Sequence, residues 1–457
     1  MTLSRAFLAI FLLSAALSSH GDPASLLRIQ GSNTIGAALA PALMEGLLRQ
    51  QGFSDIARQP GDEENELILL ARRPDGVRVQ MTIAAHGSST GFRALREGRA
   101  ELAAASRPVR DSEVAALAER GDLRSAAAEQ VIAIDGLAII VHPTNPLRSL
   151  TIDQLAALFS GKLRNWRQVG GEDAPVRLYA RDDRSGTFDT FNELVLAPRG
   201  DALASTAQRF ESNDRLAEAV LKDPHGIGFV GLASVGGARA LAVSSGGAQA
   251  LPPTPDSIAT EDYPLARRLF LYRAPGDASP WAQALLDFAQ SREGQRIVEQ
   301  VGFVGQNLRL VPVQADPRMP AAYRDLAGGA RRLSVNFRFH EGSAQLDNKA
   351  LRDLERVRDH VRETGAQLVL VGFGDTKDDP ARARLLSRLR AETVRQALFR
   401  AGVTAVQTLG IGDDLPVADN HDPAGRLRNR RVEIWVRQGR ARDRCTRRPT
   451  GIAYCAQ

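Results

Sequence analysis

After its first 17 residues this chain has no apolar run approaching the roughly 20 residues a membrane-spanning helix needs, so the mature protein is expected to be soluble. Cysteine is almost missing. Cys445 and Cys455 are the only two, too few for a disulfide-built scaffold or, by themselves, for a metal centre. Aromatic residues make up 5% and form no stacking motif, and the basic residues are scattered apart from an arginine cluster at 437–448. The net charge of +6 therefore argues for a mild attraction to anionic polymers or lipids and against a nucleic-acid partner. Internal repeats and low-complexity segments are absent, which removes solenoids and disordered arrays.

What is present begins with an export signal. Ala6 to Leu17 form a short apolar block behind Arg5, followed by small residues up to Ser19. This is the pattern of a secretory signal peptide, expected to occupy 1–22, with no Cys near its end to take a lipid. Outside the cytosol, Cys445 and Cys455, which flank a short loop in the basic tail 439–457, are expected to form a disulfide.

The 457 residues allow two or three domains. From 26 to about 310, short apolar runs alternate with helical stretches as in an α/β domain. Strands are predicted at 79–85, 131–141, 176–180 and 226–230, and helices at 36–51, 92–98, 151–159 and 280–300. Pro312, Pro317, Pro320 and Gly328-Gly329 mark 311–331 as a linker. The pattern then restarts. Leu333, Val335, Phe337 and Phe339 alternate with polar residues as in a half-buried strand, and Leu346, Ala350, Leu354, Val357 and Val361 form one stripe of a long helix. A strand at 366–371, a helix at about 381–401 and a last strand through Val432, Ile434 and Val436 follow.

Three turns place small hydroxyl and glycine residues between a strand and a helix start: Gly31-Ser32-Asn33-Thr34, Gly87-Ser88-Ser89-Thr90-Gly91, and Arg181-Asp182-Asp183-Arg184-Ser185-Gly186-Thr187. First-turn amides of a helix are unpaired donors with partial positive charge, so they seat anions. Any one such turn reads more simply as an ordinary helix cap. Three of them with the Arg181 guanidinium point to a cage for a tetrahedral oxyanion, phosphate or something very like it.

These blocks, with Ala105-Ser106-Arg107-Pro108, the stretch from Leu150-Thr151 to Asn165-Trp166, and Asp223-Pro224-His225-Gly226, resemble the PstS-like phosphate-binding proteins that feed ABC importers, over about residues 26–310. The resemblance implies a type II periplasmic-binding-protein fold, two α/β lobes closing on the anion with the second lobe at about 134–240, and an ABC permease as a partner. By position it implies that Thr34, the amide of Ile35, Ser88, Ser106, Arg181, Ser185, Gly186 and Thr187 contact the anion, while Asp183 holds Arg181 in place. Neutral donors with one guanidinium suit a dianion. Ser106 stands where the family usually offers a carboxylate to take the proton of hydrogen phosphate, so weaker rejection of sulfate is expected.

Gly87-Ser88-Ser89-Thr90-Gly91 also fits G-x-S-x-G, the nucleophile elbow of α/β hydrolases, with Ser89 as nucleophile. Its base would have to be His142 or His225, both in turns that the binding-protein pattern already explains, and no enzyme activity is expected.

In the helix at 381–401, Leu386, Leu389, Val394, Ala397 and Leu398 share one face, and the 3.6-residue period places Arg390 in the same arc beside Ala383 and Ser387. A guanidinium there is costly unless it snorkels, pairs or is used. Asp375, in Gly372-Phe373-Gly374-Asp375-Thr376, is a candidate partner. With Leu386-Ser387-Arg388-Leu389-Arg390-Ala391 and Asn429-Arg430-Arg431-Val432-Glu433-Ile434, the region 332–438 is similar to the OmpA-like peptidoglycan-binding domain, a small α+β unit. The resemblance implies Asp375 on the amine and Arg390 on the carboxylate of a diaminopimelate-type wall peptide, with Ser387 and Arg430 in support. Ala383 replaces the family's Asn, which is expected to weaken binding.

The resulting reading is a periplasmic, non-catalytic protein that binds phosphate or a related oxyanion and is tethered to peptidoglycan, with no cofactor or metal. Its main rival is a wall-associated structural or envelope-sensing protein whose binding domain feeds no transporter. A serine hydrolase using Ser89 is a distant third.

Overall fold

The computed structural model describes residues 23–183, 185–340, 345–375 and 379–437. The expected signal peptide and the Cys445–Cys455 pair lie outside the described residues. Among the described residues, no helix is long and apolar enough to cross a membrane.

The first domain consists of two α/β lobes sharing one strand. In the first lobe, Ala24–Gly31 runs parallel to Arg78–Ala84 on one side and Leu102–Ala105 on the other, with Glu66–Arg72 and Ser54–Pro60 further out. Ala266–Arg273 joins antiparallel, pairing with Leu102–Ala105 and with the first half of Glu129–Val141. From Leu137 onward that same strand pairs instead with Gly226–Gly231 and Arg239–Ser244 of the second lobe. Gln130 through Val141 is buried throughout, as a strand covered on both faces requires, and it carries the chain from one lobe to the other. In the second lobe Arg177–Arg181 and Gln208–Phe210 extend the sheet in parallel, over a core where Phe191 stacks on Phe229 at 4.0 Å.

One expected helix is two. The stretch 280–300 divides into Pro280–Gln290 and Arg292–Val301 because Ser291 turns extended and its hydroxyl caps the second helix. The hairpin Ser54–Pro60 with Glu66–Arg72 had no counterpart among the predicted strands.

The C-terminal domain is a five-stranded sheet in the order Leu310–Val311, Arg331–Arg338, Arg431–Arg437, Gln367–Phe373, Val406–Gly412. Helices Asn348–Thr364 and Pro380–Arg400 cover one face through Val357, Ala391, Val394 and Leu398. The segment 311–331 differs from the linker expected there. Leu310–Val311 is the edge strand, and the helix Ala321–Gly329 lays Tyr323 and Leu326 against Val369, Val371, Phe373 and Trp435 on the other face. Its prolines punctuate a packed segment.

Arg331–Arg338, expected to be half-buried, is buried on both faces from Arg332 onward. Leu333, Val335 and Phe337 join the core under the helices, and the alternate positions dock onto the first domain. Arg332 Nη2 donates to Asp262 Oδ2 at 2.7 Å, Asn336 Nδ2 to the Thr260 carbonyl at 2.8 Å, and Arg338 Nε to Glu261 Oε2 at 3.3 Å. Arg428 adds bonds to the Tyr263 and Pro264 carbonyls. The gripped segment leads directly into Ala266–Arg273. The desolvated charges of Arg332 and Arg338 are tolerable here because each meets a carboxylate; removing one partner of such a pair costs about 3–5 kcal/mol.

Candidate functional site

The three Ser/Gly/Thr turns do not sit at random on the lobes. Gly31, Ala84 and Ala105 end neighbouring parallel strands, and ligands in open α/β sheets bind outside such carboxyl ends. Gly87 N donates to the Gly31 carbonyl at 2.7 Å and Ser32 N to the Ala104 carbonyl at 2.9 Å, which ties the first-lobe turns together. A Cβ added to Gly31 would lie 2.1 Å from the Ala104 oxygen, so only glycine permits that approach. From the second lobe, Ser185 caps the helix Gly186–Phe191, its Oγ accepting from Thr187 N at 3.2 Å. A Cβ on Gly186 would lie 2.3 Å from Thr34 Oγ1, so the turns of the two lobes are in direct contact.

Around that contact lies a cleft of about 880 Å³ lined by Thr34, Arg181, Ser185, Gly186 and Thr187 among others. Five of the eight residues expected to contact an anion are thus brought together. The Ile35 side chain is fully buried in the first-lobe core, leaving only its backbone for the cleft. Ser88 and Ser106 stand outside that lining, with their hydroxyls paired at 3.4 Å and Ser106 N donating to Ser88 Oγ at 3.2 Å. Ser89 Oγ faces a guanidinium, accepting from Arg107 Nη2 at 2.9 Å, while His142 is hydrogen-bonded to Thr144.

Arg181 ends its strand half-buried. Its Nε donates to the Phe210 carbonyl at 3.2 Å and its Nη2 to the Glu211 carbonyl at 2.5 Å. The sequence reading had Asp183 holding this guanidinium; Asp183 instead pairs with Arg209. The chain turns at Asp182, whose N donates to the Phe210 carbonyl, so that carbonyls at 210 and 211 take over as the support. Burial pushes the Arg181 pKa down, and the nearby charges of Asp182, Glu211 and Asp214 only partly restore it. Among the described residues no carboxylate lies within ion-pair distance of it.

Two buried charges, Asp135 in the cleft lining and Arg267 behind it, escaped the sequence reading. Asp135 lies within the otherwise apolar crossover strand, paired in register with Arg267. Arg267 Nε donates to Asp135 Oδ2 at 3.3 Å, Nη1 to Glu193 Oε2 at 2.9 Å, and Nη2 to Thr34 Oγ1 at 2.9 Å and the Gly186 carbonyl at 3.0 Å. A carboxylate inside the run Val131-Ile132-Ala133-Ile134-Asp135-Gly136-Leu137 was the available signal, since a fully buried strand tolerates a charge only with a partner.

In the second domain, Asp375 is 8% exposed and accepts from Arg430 Nε at 3.1 Å and Nη2 at 2.9 Å, a bidentate pair, with Arg426 at 3.9 Å. Burial raises the Asp375 carboxyl, but the Arg430 hydrogen bond and the charges of Arg430 and Arg390 more than offset this, leaving it below the ordinary range. Arg390 Nη1 donates to the Phe373 carbonyl at 3.2 Å. Burial lowers the Arg390 pKa, and attraction to Asp375 only partly restores it.

The helix bearing Arg390 turns a different face inward than periodicity suggested. Leu389, placed on the apolar face, is 52% exposed, and the buried stripe is Ala383, Ser387, Ala391, Val394 and Leu398. The helix lies so close to the sheet that a Cβ on Gly372 would meet the Ser387 carbonyl at 1.9 Å, so small residues, not leucines, make the contact. Ser387 Oγ accepts from Gly412 N at 3.0 Å and donates to the Arg384 carbonyl, bracing the helix.

Residues 68–293 match the PBP superfamily domain and residues 338–430 the OmpA family. Protein SphX of Synechococcus elongatus is 33% identical over 241 residues, covering 50% of this chain and 69% of that protein. The phosphate-binding protein PstS of Pseudomonas aeruginosa is 30% identical over 295 residues, covering 60% of this chain and 90% of that protein. The crystal structure of PstS from Borrelia burgdorferi aligns with 62% of this chain and 98% of its own, at 26% identity and a TM-score of 0.46.

Proposed function

We propose, from the premise that this chain belongs to the PstS family of the periplasmic-binding-protein superfamily and ends in an OmpA family domain, that it captures phosphate or a related oxyanion between its two lobes in the periplasm and is held to peptidoglycan by its second domain. Arg181 carries the reading. A half-buried guanidinium that donates to two carbonyls, beside the helix-start donors of Ser185, Gly186 and Thr187 and the hydroxyl of Thr34, offers an anion one positive charge and several neutral donors in a cleft that Asp135, Asp182, Asp183 and Glu211 also line. Such a set suits a dianion, because charge-assisted hydrogen bonds supply the affinity and bidentate geometry the orientation. The relatives named phosphate-binding protein PstS support phosphate as that anion. The contact between Thr34 and Gly186 supports lobes that meet around it.

The chemistry is binding, not catalysis, with release of the anion to an ABC permease. In the second domain, Asp375 takes the amine of a diaminopimelate-type residue and Arg390 its carboxylate, the amine competing with Arg430 for Asp375. Titration calorimetry of the full-length protein with phosphate and sulfate, together with co-sedimentation with purified peptidoglycan, tests both halves. One phosphate bound per chain and pelleting with the wall are expected. A flat isotherm with both anions would sink the first half, and failure to pellet the second.

A further inference from the structure

The side chain that ties the cleft-lining residues together has no place in the lining itself or among the expected anion ligands. Arg267, 8% exposed, touches the first lobe at Thr34, the second at Gly186 and Glu193, and the crossover strand at Asp135. Four of its five N–H groups are accounted for by these bonds. Its charge is met by two carboxylates, so little of it remains for an anion.

What Arg267 does to its neighbours is more informative. A threonine oxygen carries one O–H donor and two acceptor lone pairs, and a guanidinium can only donate. Thr34 Oγ1 must therefore accept from Arg267, and its own proton is left to point elsewhere. Thr34 lines the cleft. The Gly186 carbonyl, fixed by the same Nη2 and by Thr190 Oγ1 at 2.8 Å, belongs to a trans peptide whose N–H lies on the opposite side. That N–H is the Thr187 amide, held near Ser185 Oγ at 3.2 Å, a long bond that leaves it available to a better acceptor.

We propose that Arg267 is a positioning residue for the anion seat: without touching the anion, it presets the Thr34 hydroxyl and the Thr187 amide, one from each lobe, as donors. The inference rests on the reading of the cleft as an oxyanion site. It adds a division of labour: Arg181 meets the charge, and Arg267 organises the neutral donors.

The test is a double-mutant cycle in the full-length protein, read by titration calorimetry with inorganic phosphate. Thr34→Val and Arg267→Gln are each expected to weaken binding by roughly tenfold to a hundredfold. In the Arg267→Gln background, Thr34→Val is expected to cost little more, because the hydroxyl has already lost its orientation. Arg267→Lys, which keeps one donor, should recover part of the coupling. Should Arg267→Gln fail to fold with Asp135 left buried and unpaired, the charge-neutral pair Arg267→Gln with Asp135→Asn carries the same cycle. Additive losses in a folded variant would overturn the proposal while leaving the oxyanion reading intact, since a merely structural Arg267 leaves the cost of Thr34→Val unchanged. A parent that binds neither phosphate nor sulfate overturns both.

Discussion

Arg181 in the first domain and Arg390 in the second lie in unrelated folds and share one predicament. Each is substantially buried, each is pushed down in pKa by that burial, and each donates to main-chain carbonyls. Two arginines of the interdomain dock are different: Arg332 and Arg338 are more deeply buried but meet Asp262 and Glu261 directly. Burial alone therefore does not mark a binding arginine. Dipole partners alone do not mark one either, since Arg428 of the dock also donates only to carbonyls, those of Pro264, Glu261 and Tyr263; Arg181 differs from it in lining an open cleft, and Arg390 in standing beside Asp375. What then separates the two sites is their surroundings. Arg181 has the neutral donors of Thr34, Ser185 and Thr187 beside it, with Asp182 and Glu211 near but beyond ion-pair distance, and suits an anion. Arg390 has a carboxylate beside it, Asp375, and suits a ligand carrying both signs.

The sharpest way to break this comparison is Arg181→Ala. With two charge-assisted hydrogen bonds lost at about 1.5–3 kcal/mol each, anion affinity should fall by roughly 3–6 kcal/mol. The ligand-free melting temperature should barely move, since only carbonyls lose a partner, and wall pelleting should be unchanged. An unaltered phosphate isotherm removes the guanidinium from the site.

The second-domain pair should respond asymmetrically. Arg390→Ala should abolish most co-sedimentation with peptidoglycan at nearly unchanged melting temperature. Asp375→Ala should abolish it too, and also destabilise the fold by about 1–3 kcal/mol, because Arg430 loses a bidentate partner. Neither should touch phosphate binding. If folded Arg390→Ala protein still pellets, the likeness between the two arginines is coincidental.

The dock supplies the contrasting case, and its test is pH. Burial raises the carboxyls of Glu261 and Asp262, but Arg268, Lys349 and Arg338 around Glu261, and Arg332, Arg431 and Arg338 around Asp262, bring both below their ordinary values. The folded state then binds these protons more weakly than the unfolded chain, so their contribution is complete above the unfolded values of 4.5 and 3.8 and is lost as pH falls through the lower folded values. Melting temperature followed from about pH 6 to about pH 2.5 should fall steeply at the acid end, and less steeply in Asp262→Asn. A parent and variant with parallel profiles would show that Asp262 is not a stabilising partner of the dock.

These differences also explain what could be read from the sequence. The two domains, the turns and Arg181 were legible because strand-to-helix turns and 3.6- or two-residue periods are local properties. Asp183 was misassigned because the choice between Arg181 and Arg209 is made by a third strand, Gln208–Phe210, distant in sequence. Arg267 pairs with Thr34 across 233 residues, a contact no local pattern encodes. The segment 311–331 was read as a linker from its prolines and glycines, whereas Tyr323, Leu326 and the facing Trp435 decide that it packs. Likewise the polar half of Arg331–Arg338 could only be understood once the first domain lay against it.

The smallest expected effect concerns selectivity, at a pair that stands outside the cleft lining but that the resemblance to PstS-like proteins implies for the anion. Ser106 is buried and paired with Ser88 through hydroxyls 3.4 Å apart. Either hydroxyl can donate or accept, so a pair in contact with the anion would adapt to an acceptor-only one such as sulfate by turning a proton toward it. A carboxylate at position 106 could not: it would set its lone pairs against those of sulfate, while accepting the proton of hydrogen phosphate. Removing that opposition is worth about 1–3 kcal/mol, the cost of an unsatisfied buried acceptor. Ser106→Asp should therefore raise the ratio of sulfate to phosphate dissociation constants by roughly tenfold to a hundredfold, with Ser88 Oγ donating to the new carboxylate. The measurement is competitive calorimetry of both anions on parent and variant near neutral pH. Strong rejection of sulfate by the parent would mean that another buried acceptor reads the phosphate proton. Asp135, within the same cleft and bound to Arg267, would then be the residue to replace next.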